Sequence, residues 1–233
     1  MSVQRIDTHA EWILAYIASG HAGAVWRFLG RRILEDQCRR DSDGQYEAIP
    51  YQFYELPKVL SQDVASAVRV TRSLYTPDDT LFQFRGARLL GAMFPTFPET
   101  LAHELTTFAA TGTDDDAGFI LRVLRAYQGQ QTTHEVVKEL VARLPEDDPR
   151  LQTAEICLQS TGVVGGEFGF VEAYRTRKAQ IETWLTDTRP QVRSFAEKFA
   201  RRLKQSIAAE QRRAVQDKEM RRRHFEDPEK DNR

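Results

Sequence analysis

Apolar residues recur at three- and four-residue spacing along almost every long segment of this chain, and few segments alternate as strands do. Ile120, Leu121, Leu124 and Tyr127 form one stripe. Val136, Val137, Leu140, Val141 and Leu144 form a second, and Trp184, Val192, Phe195, Phe199, Leu203 and Ile207 mark a third region. Each predicts a helix with one buried face. Thr132 followed by Glu135 has the capping-box spacing, in which hydroxyl and carboxylate satisfy free N–H groups at a helix start. Pro98 suits a first helical turn, while Pro95 and Pro145 suit stops. The most apolar stretch, WILAYIASGHAGAVW, has 15 residues between Glu11 and Arg27, fewer than the roughly 20 a membrane-spanning helix needs. It reads as two buried helical turns broken near Gly20.

The helices also repeat. Asp79, Asp116 and Asp187 are each followed by an apolar residue at five positions and an arginine at six, giving Arg85, Arg122 and Arg193. Asp148 opens a fourth such segment without the arginine. These aspartates are 37, 32 and 39 residues apart. HELTTFAATGTDD from His103 is echoed by KELVARLPEDD from Lys138. The pattern predicts a repeated hairpin: one helix, a turn, then a second helix capped by the aspartate. The arginine would reach back to the turn or to a neighbouring aspartate. Such a hairpin cannot bury its apolar face alone, so stacking supplies the core.

Asp187, Pro190, Val192, Arg193 and Ala196 resemble the second-helix signature of HEAT repeats. The segment with Asp79, Phe84, Arg85 and Ala87 is similar, and that with Asp116, Leu121 and Arg122 is looser. The resemblance covers residues 76–203. It implies an all-α fold, an α-solenoid of stacked antiparallel helix hairpins, that offers a long face to proteins and sometimes to nucleic acid. Residues 1–75 are then divergent helices capping the array, although DVASAVRV from Asp63 repeats the local spacing out of phase. Residues 76–215 hold the HEAT-like repeats, and 216–233 a projecting basic helix end with a disordered tail.

Composition changes this picture little. The chain is 41% hydrophobic and 29% charged, ordinary for a soluble globular protein, with a net charge of −1. The charge is uneven: from Arg193 onward there are 13 Lys+Arg against 8 Asp+Glu, so a body of about −6 carries an arm of about +5. Cys38 and Cys157 form no CxxC pair, which fits a reducing cytoplasm and thiols that are buried or idle. The N-terminus lacks the basic run and apolar core of a secretory signal.

No complete catalytic, cofactor or metal constellation is found, and a non-enzyme without cofactor or metal is expected. Gly162, Gly165, Gly166 and Gly169 lie close together, but no Lys-Ser or Lys-Thr follows and GxGxxG spacing is absent. They read as a helix stop and hinge, with an anion site, or a pocket of a ligand-responsive regulator, as alternatives. The carboxylates of Thr113–Asp116 read as a turn and cap rather than a cation loop. His134 begins an HExxH-like helix, but Lys138 occupies the second histidine position, so His103 and His134 are expected on the surface.

Two segments are candidates for partner contact. Tyr46, Tyr51, Phe53 and Tyr54 form an aromatic, proline-bounded run that either packs a loop onto the array or grips a partner. Arg212, Arg213, Arg221, Arg222 and Arg223 lie where the last apolar stripe fades beyond Val215. They read as a solvated face, a protein contact or a phosphate contact. Another protein is the expected partner, nucleic acid the alternative, and no membrane is involved.

Overall fold

The computed structural model describes residues 5–38, 46–77, 82–159 and 168–226; among these there are ten α-helices and no strand. They are α1 (Thr8–Cys38), α2 (Leu56–Leu60), α3 (Val64–Ser73), α4 (Phe82–Met93), α5 (Glu99–Thr111), α6 (Asp114–Leu124), α7 (Thr133–Arg143), α8 (Arg150–Cys157), α9 (Gly169–Glu182) and α10 (Pro190–Glu226). The stripes on α6 and α7 are buried throughout. α4 and α7 stop before Pro95 and Pro145, and α5 starts directly after Pro98.

Thr132 behaves differently from its expected capping role. Its hydroxyl donates to the Phe97 carbonyl (3.0 Å) instead of capping α7, and Glu135 pairs with Lys138. The turn before α7 is fastened to the loop before α5, because Phe97 N–H also donates to Gln130 Oε1 (2.7 Å) and the Tyr127 hydroxyl donates to the Phe94 carbonyl (3.0 Å). A carbonyl of the preceding hairpin competes successfully for the hydroxyl.

Sequential helices pair as α3–α4, α5–α6, α7–α8 and α9–α10. Helices two apart also touch, giving one row of α1, α3, α5 and α7 and another of α2, α4, α6 and α8; α10 packs on α7. A single apolar core runs from Ile6 to Leu203 through both rows. The α3–α4 pair begins upstream of Thr76, so α1–α3 share this core with the rest. No described helix is long and apolar enough to cross a membrane.

The corner aspartates sit at the starts of second helices. Asp116 and Thr113 form a reciprocal capping box at α6. Asp148 accepts from Arg150 N–H (2.8 Å) and Asp187 from Arg189 N–H (3.0 Å); Asp79 lies outside the described residues. Asp63, the out-of-phase echo, caps α3 through Ser66 N–H. Arg193 reaches back to the carbonyls of Asp187 and Thr188 (2.7 and 3.0 Å). Arg85 instead pairs with Asp36 of α1 (2.9 Å), and Arg122 lies within electrostatic reach of Tyr75.

Other arginines join the corners to one another. Arg150 binds its own Asp148 (2.6 Å) and Asp114 of the preceding corner (3.2 Å). Arg189 binds Asp187 (2.9 Å) and Glu139 of α7 (2.8 Å). Arg72 at the end of α3 pairs with Asp116, and Arg143 at the end of α7 donates to the carbonyls of Ala109 and Gly112. The corner of α8 is therefore stitched to that of α6 by charge-assisted bonds, while the corner of α10 is tied to the middle of α7.

The Arg189 side chain, then its N–H, holds the Asp187 carboxyl below the usual carboxylate range. Arg150 does the same for Asp148. Burial pushes Asp116 up, but Thr113 and Arg72 outweigh it and the net shift is down. Depressed carboxylates stabilise the fold above their unfolded value near about 4 and lose that contribution as pH falls through the folded values. Urea unfolding at about pH 6 and about pH 3 is expected to show this loss, and D148N/D187N to be less stable at the higher pH with a shallower pH dependence. Gly112 provides a second check. A Cβ there would lie 2.6 Å from the Phe108 carbonyl oxygen and 2.7 Å from Asp116 Cβ, so Gly112→Ala should cost about 1–3 kcal/mol. Gly91 in α4 has nothing within 4 Å of the same position, and Gly91→Ala should gain about 0.5–1 kcal/mol in the same assay.

Candidate partner-binding surface

α1 is 31 residues long and kinks at His21 (φ −141°, ψ 49°), next to the expected break at Gly20. Beyond the kink Val25, Trp26, Leu29 and Ile33 are buried. Before it, the expectation of a buried segment fails: Trp12 is 63% exposed, Ile13 61% and Tyr16 83%, with Ile17 also exposed. At 100° per residue, these four lie opposite Glu11 and Ala18, which are buried. As the first member of its row, α1 meets α2, α3 and α4, and its Trp12, Ile13, Tyr16 and Ile17 face is left uncovered.

Glu11 positions what lies beside that face. Its Oε1 accepts from the N–H groups of Tyr54 (2.6 Å), Glu55 (2.6 Å) and Leu56 (3.1 Å), the free donors at the start of α2. This contact holds the aromatic run against α1. Within the run, the four residues have different fates. Phe53 is 4% exposed and belongs to the core. Tyr46 is packed beneath the Arg32 guanidinium (4.9 Å to the ring centre), and its hydroxyl donates to the Arg32 carbonyl. Arg32 itself donates to the carbonyls of Ala48 and Glu47. Tyr54 is exposed, and Tyr51 is 86% exposed with Arg88 near its ring (5.8 Å). Tyr51 and Arg88 border a groove of about 450 Å³ floored by Ala87, Gly91 and Ala92 of α4.

At the other end, Ala214 is the last buried residue of α10 among the described side chains, and Val215 is exposed. Arg212, Arg213, Arg221 and Arg222 are exposed on this distal part. Arg213 approaches Glu210 and Asp217 (4.0 Å each), and Arg221 donates to the Asp217 carbonyl. Arg223 lies on the same helix. The structure thus keeps the aromatic and basic candidates apart, at opposite ends of the core.

His103 is exposed, but His134 corrects its expected surface location: it is buried against Trp184, with ring centres 5.7 Å apart. Burial lowers its pKa. Cys157 is buried, and burial pushes its thiol up to about 12. No group of three His, Cys, Asp or Glu side chains among the described residues is placed to hold a metal ion. Gly162, Gly165 and Gly166 lie outside the described residues, and Gly169 opens α9.

Sequence reasoning missed Glu11 and the α1 face. It also missed the Asp-x-Arg spacing that 148–150 and 187–189 share, a legible signal of paired corners. No family model, curated protein or solved structure matches this chain. Glu11→Ala would strip three backbone donors of their acceptor and is expected to cost about 1–3 kcal/mol in urea unfolding. It should also speed amide exchange at Tyr54, Glu55 and Leu56.

Proposed function

We propose that the stacked hairpins form a HEAT-like α-solenoid without catalytic role, which binds another protein through the outer face of α1 together with Tyr51 and Tyr54. The observation that carries this reading is the cluster of Trp12, Ile13, Tyr16 and Ile17 on one outward face. A contiguous apolar patch at the end of a packed row marks a contact surface, and tryptophan and tyrosine are the side chains that most often anchor one. The groove beside Tyr51 supplies small side chains at its floor and one arginine at its rim, which suits a partner segment with apolar residues and an acidic neighbour. The HEAT-like reading rests on the two rows of helices and on the α8 corner joined to that of α6.

W12S/Y16S alters exposed positions only, so stability should stay within about 0.5 kcal/mol of the parent. A pull-down from native extract is expected to recover a stoichiometric partner with the parent and lose it with W12S/Y16S. Recovery of no stoichiometric partner, or equal recovery by both, contradicts the reading.

A second reading, nucleic-acid binding, is favoured by the exposed arginines of distal α10. It requires binding to duplex or single-stranded probes that weakens steeply with salt. Absence of a shift at about 50 mM salt removes it.

A further inference from the structure

Arg177 of α9 is 6% exposed, and among the described residues it makes neither a hydrogen bond nor an ion pair. Its guanidinium stays charged wherever it is placed. A buried cation without a counter-charge destabilises a fold, and its neighbourhood adds positive charge: Arg177 and Lys138 both bear on His134, with Glu135 opposing.

Arg177 lines a pocket of about 230 Å³ between α9 and the turn after α6. No nitrogen of Arg177 is among the fully enclosed, unpartnered atoms, and Arg177 is one of the residues that line this space. Thr176 and Gln180 share the lining and, four residues apart, lie on one helix face beside Arg177. Both are exposed, and neither side chain makes a hydrogen bond among the described residues. Leu158 and Ala173 form an apolar wall, and Gly129, whose φ of 74° demands glycine, brings backbone close. One planar cationic fork, two neutral polar groups and an apolar wall make a receptor for an oxyanion.

We propose that this pocket binds an oxyanion group, a carboxylate or a phosphate, held by the Arg177 fork with Thr176 and Gln180 as neutral donors. The assignment does not depend on the α1 surface. The bound anion supplies the counter-charge that the described residues around Arg177 do not.

The test is a titration of the full ¹⁵N-labelled chain with inorganic phosphate and, separately, with acetate, at constant ionic strength set by chloride. Saturable amide shifts are expected at Gly129, Thr176, Arg177 and Gln180, with a rise in melting temperature over the chloride control. A response to phosphate alone assigns a phosphate ligand, and a response to acetate assigns a carboxylate. Arg177→Met should weaken binding at least about tenfold, while melting in chloride no lower than the parent. The surface variant T176A/Q180A should fold normally and bind several-fold more weakly. No saturable shift with either anion up to about 50 mM, well above a millimolar dissociation constant, overturns the proposal. An unchanged response in Arg177→Met, or a large loss of stability in that variant in chloride, overturns it too.

Discussion

Every hairpin in this chain depends on a neighbour to keep its apolar stripe dry. Two helices of about a dozen residues cover only one flank of each other's apolar face. α5 has α3 on one side and α7 on the other, and α6 has α4 and α8. Phe119, Leu105, Leu89 and Val136 are completely enclosed by that arrangement. The edge of charged corners follows from it. Stacking brings the starts of α6 and α8 beside each other and the start of α10 beside α7, and their free N–H groups attract carboxylates that arginines then bridge.

The two ends of the packed helices are finished differently. At the N-terminal end α1 keeps an apolar outer face, which is where a contact surface is proposed. At the C-terminal end α10 runs past its last buried residue, Ala214, into a polar, arginine-rich segment that water solvates. α9 packs along α10, and the Arg177 pocket lies between α9 and the turn after α6.

The helices and three of the corner aspartates were legible in the sequence because both signals are local. Apolar spacing survives any choice of neighbour, and an aspartate caps the helix that follows it. What the arginines do was only partly legible. Arg193 serves its own turn, but Arg85 reaches Asp36 from far away in sequence, and Arg150 links two corners through a spacing the repeat pattern did not include. The apolar run at Trp12–Trp26 misled for a physical reason. Its first half is apolar all round, and periodicity cannot say that a terminal helix has a neighbour on one side only. Tyr46 and Phe53 looked equivalent to Tyr51 and Tyr54 in sequence, and only the third dimension separates packed rings from exposed ones. Arg177 sits in a charged run, and its burial is a tertiary fact.

Residue-resolved native-state hydrogen exchange in low urea tests the dependence of each hairpin on its neighbours most directly. Protection should be greatest in α5, α6 and α7, which have neighbours on both sides, and should decline toward α1 and toward distal α10. Equal protection along the chain, or a minimum at α5–α7, would contradict the account.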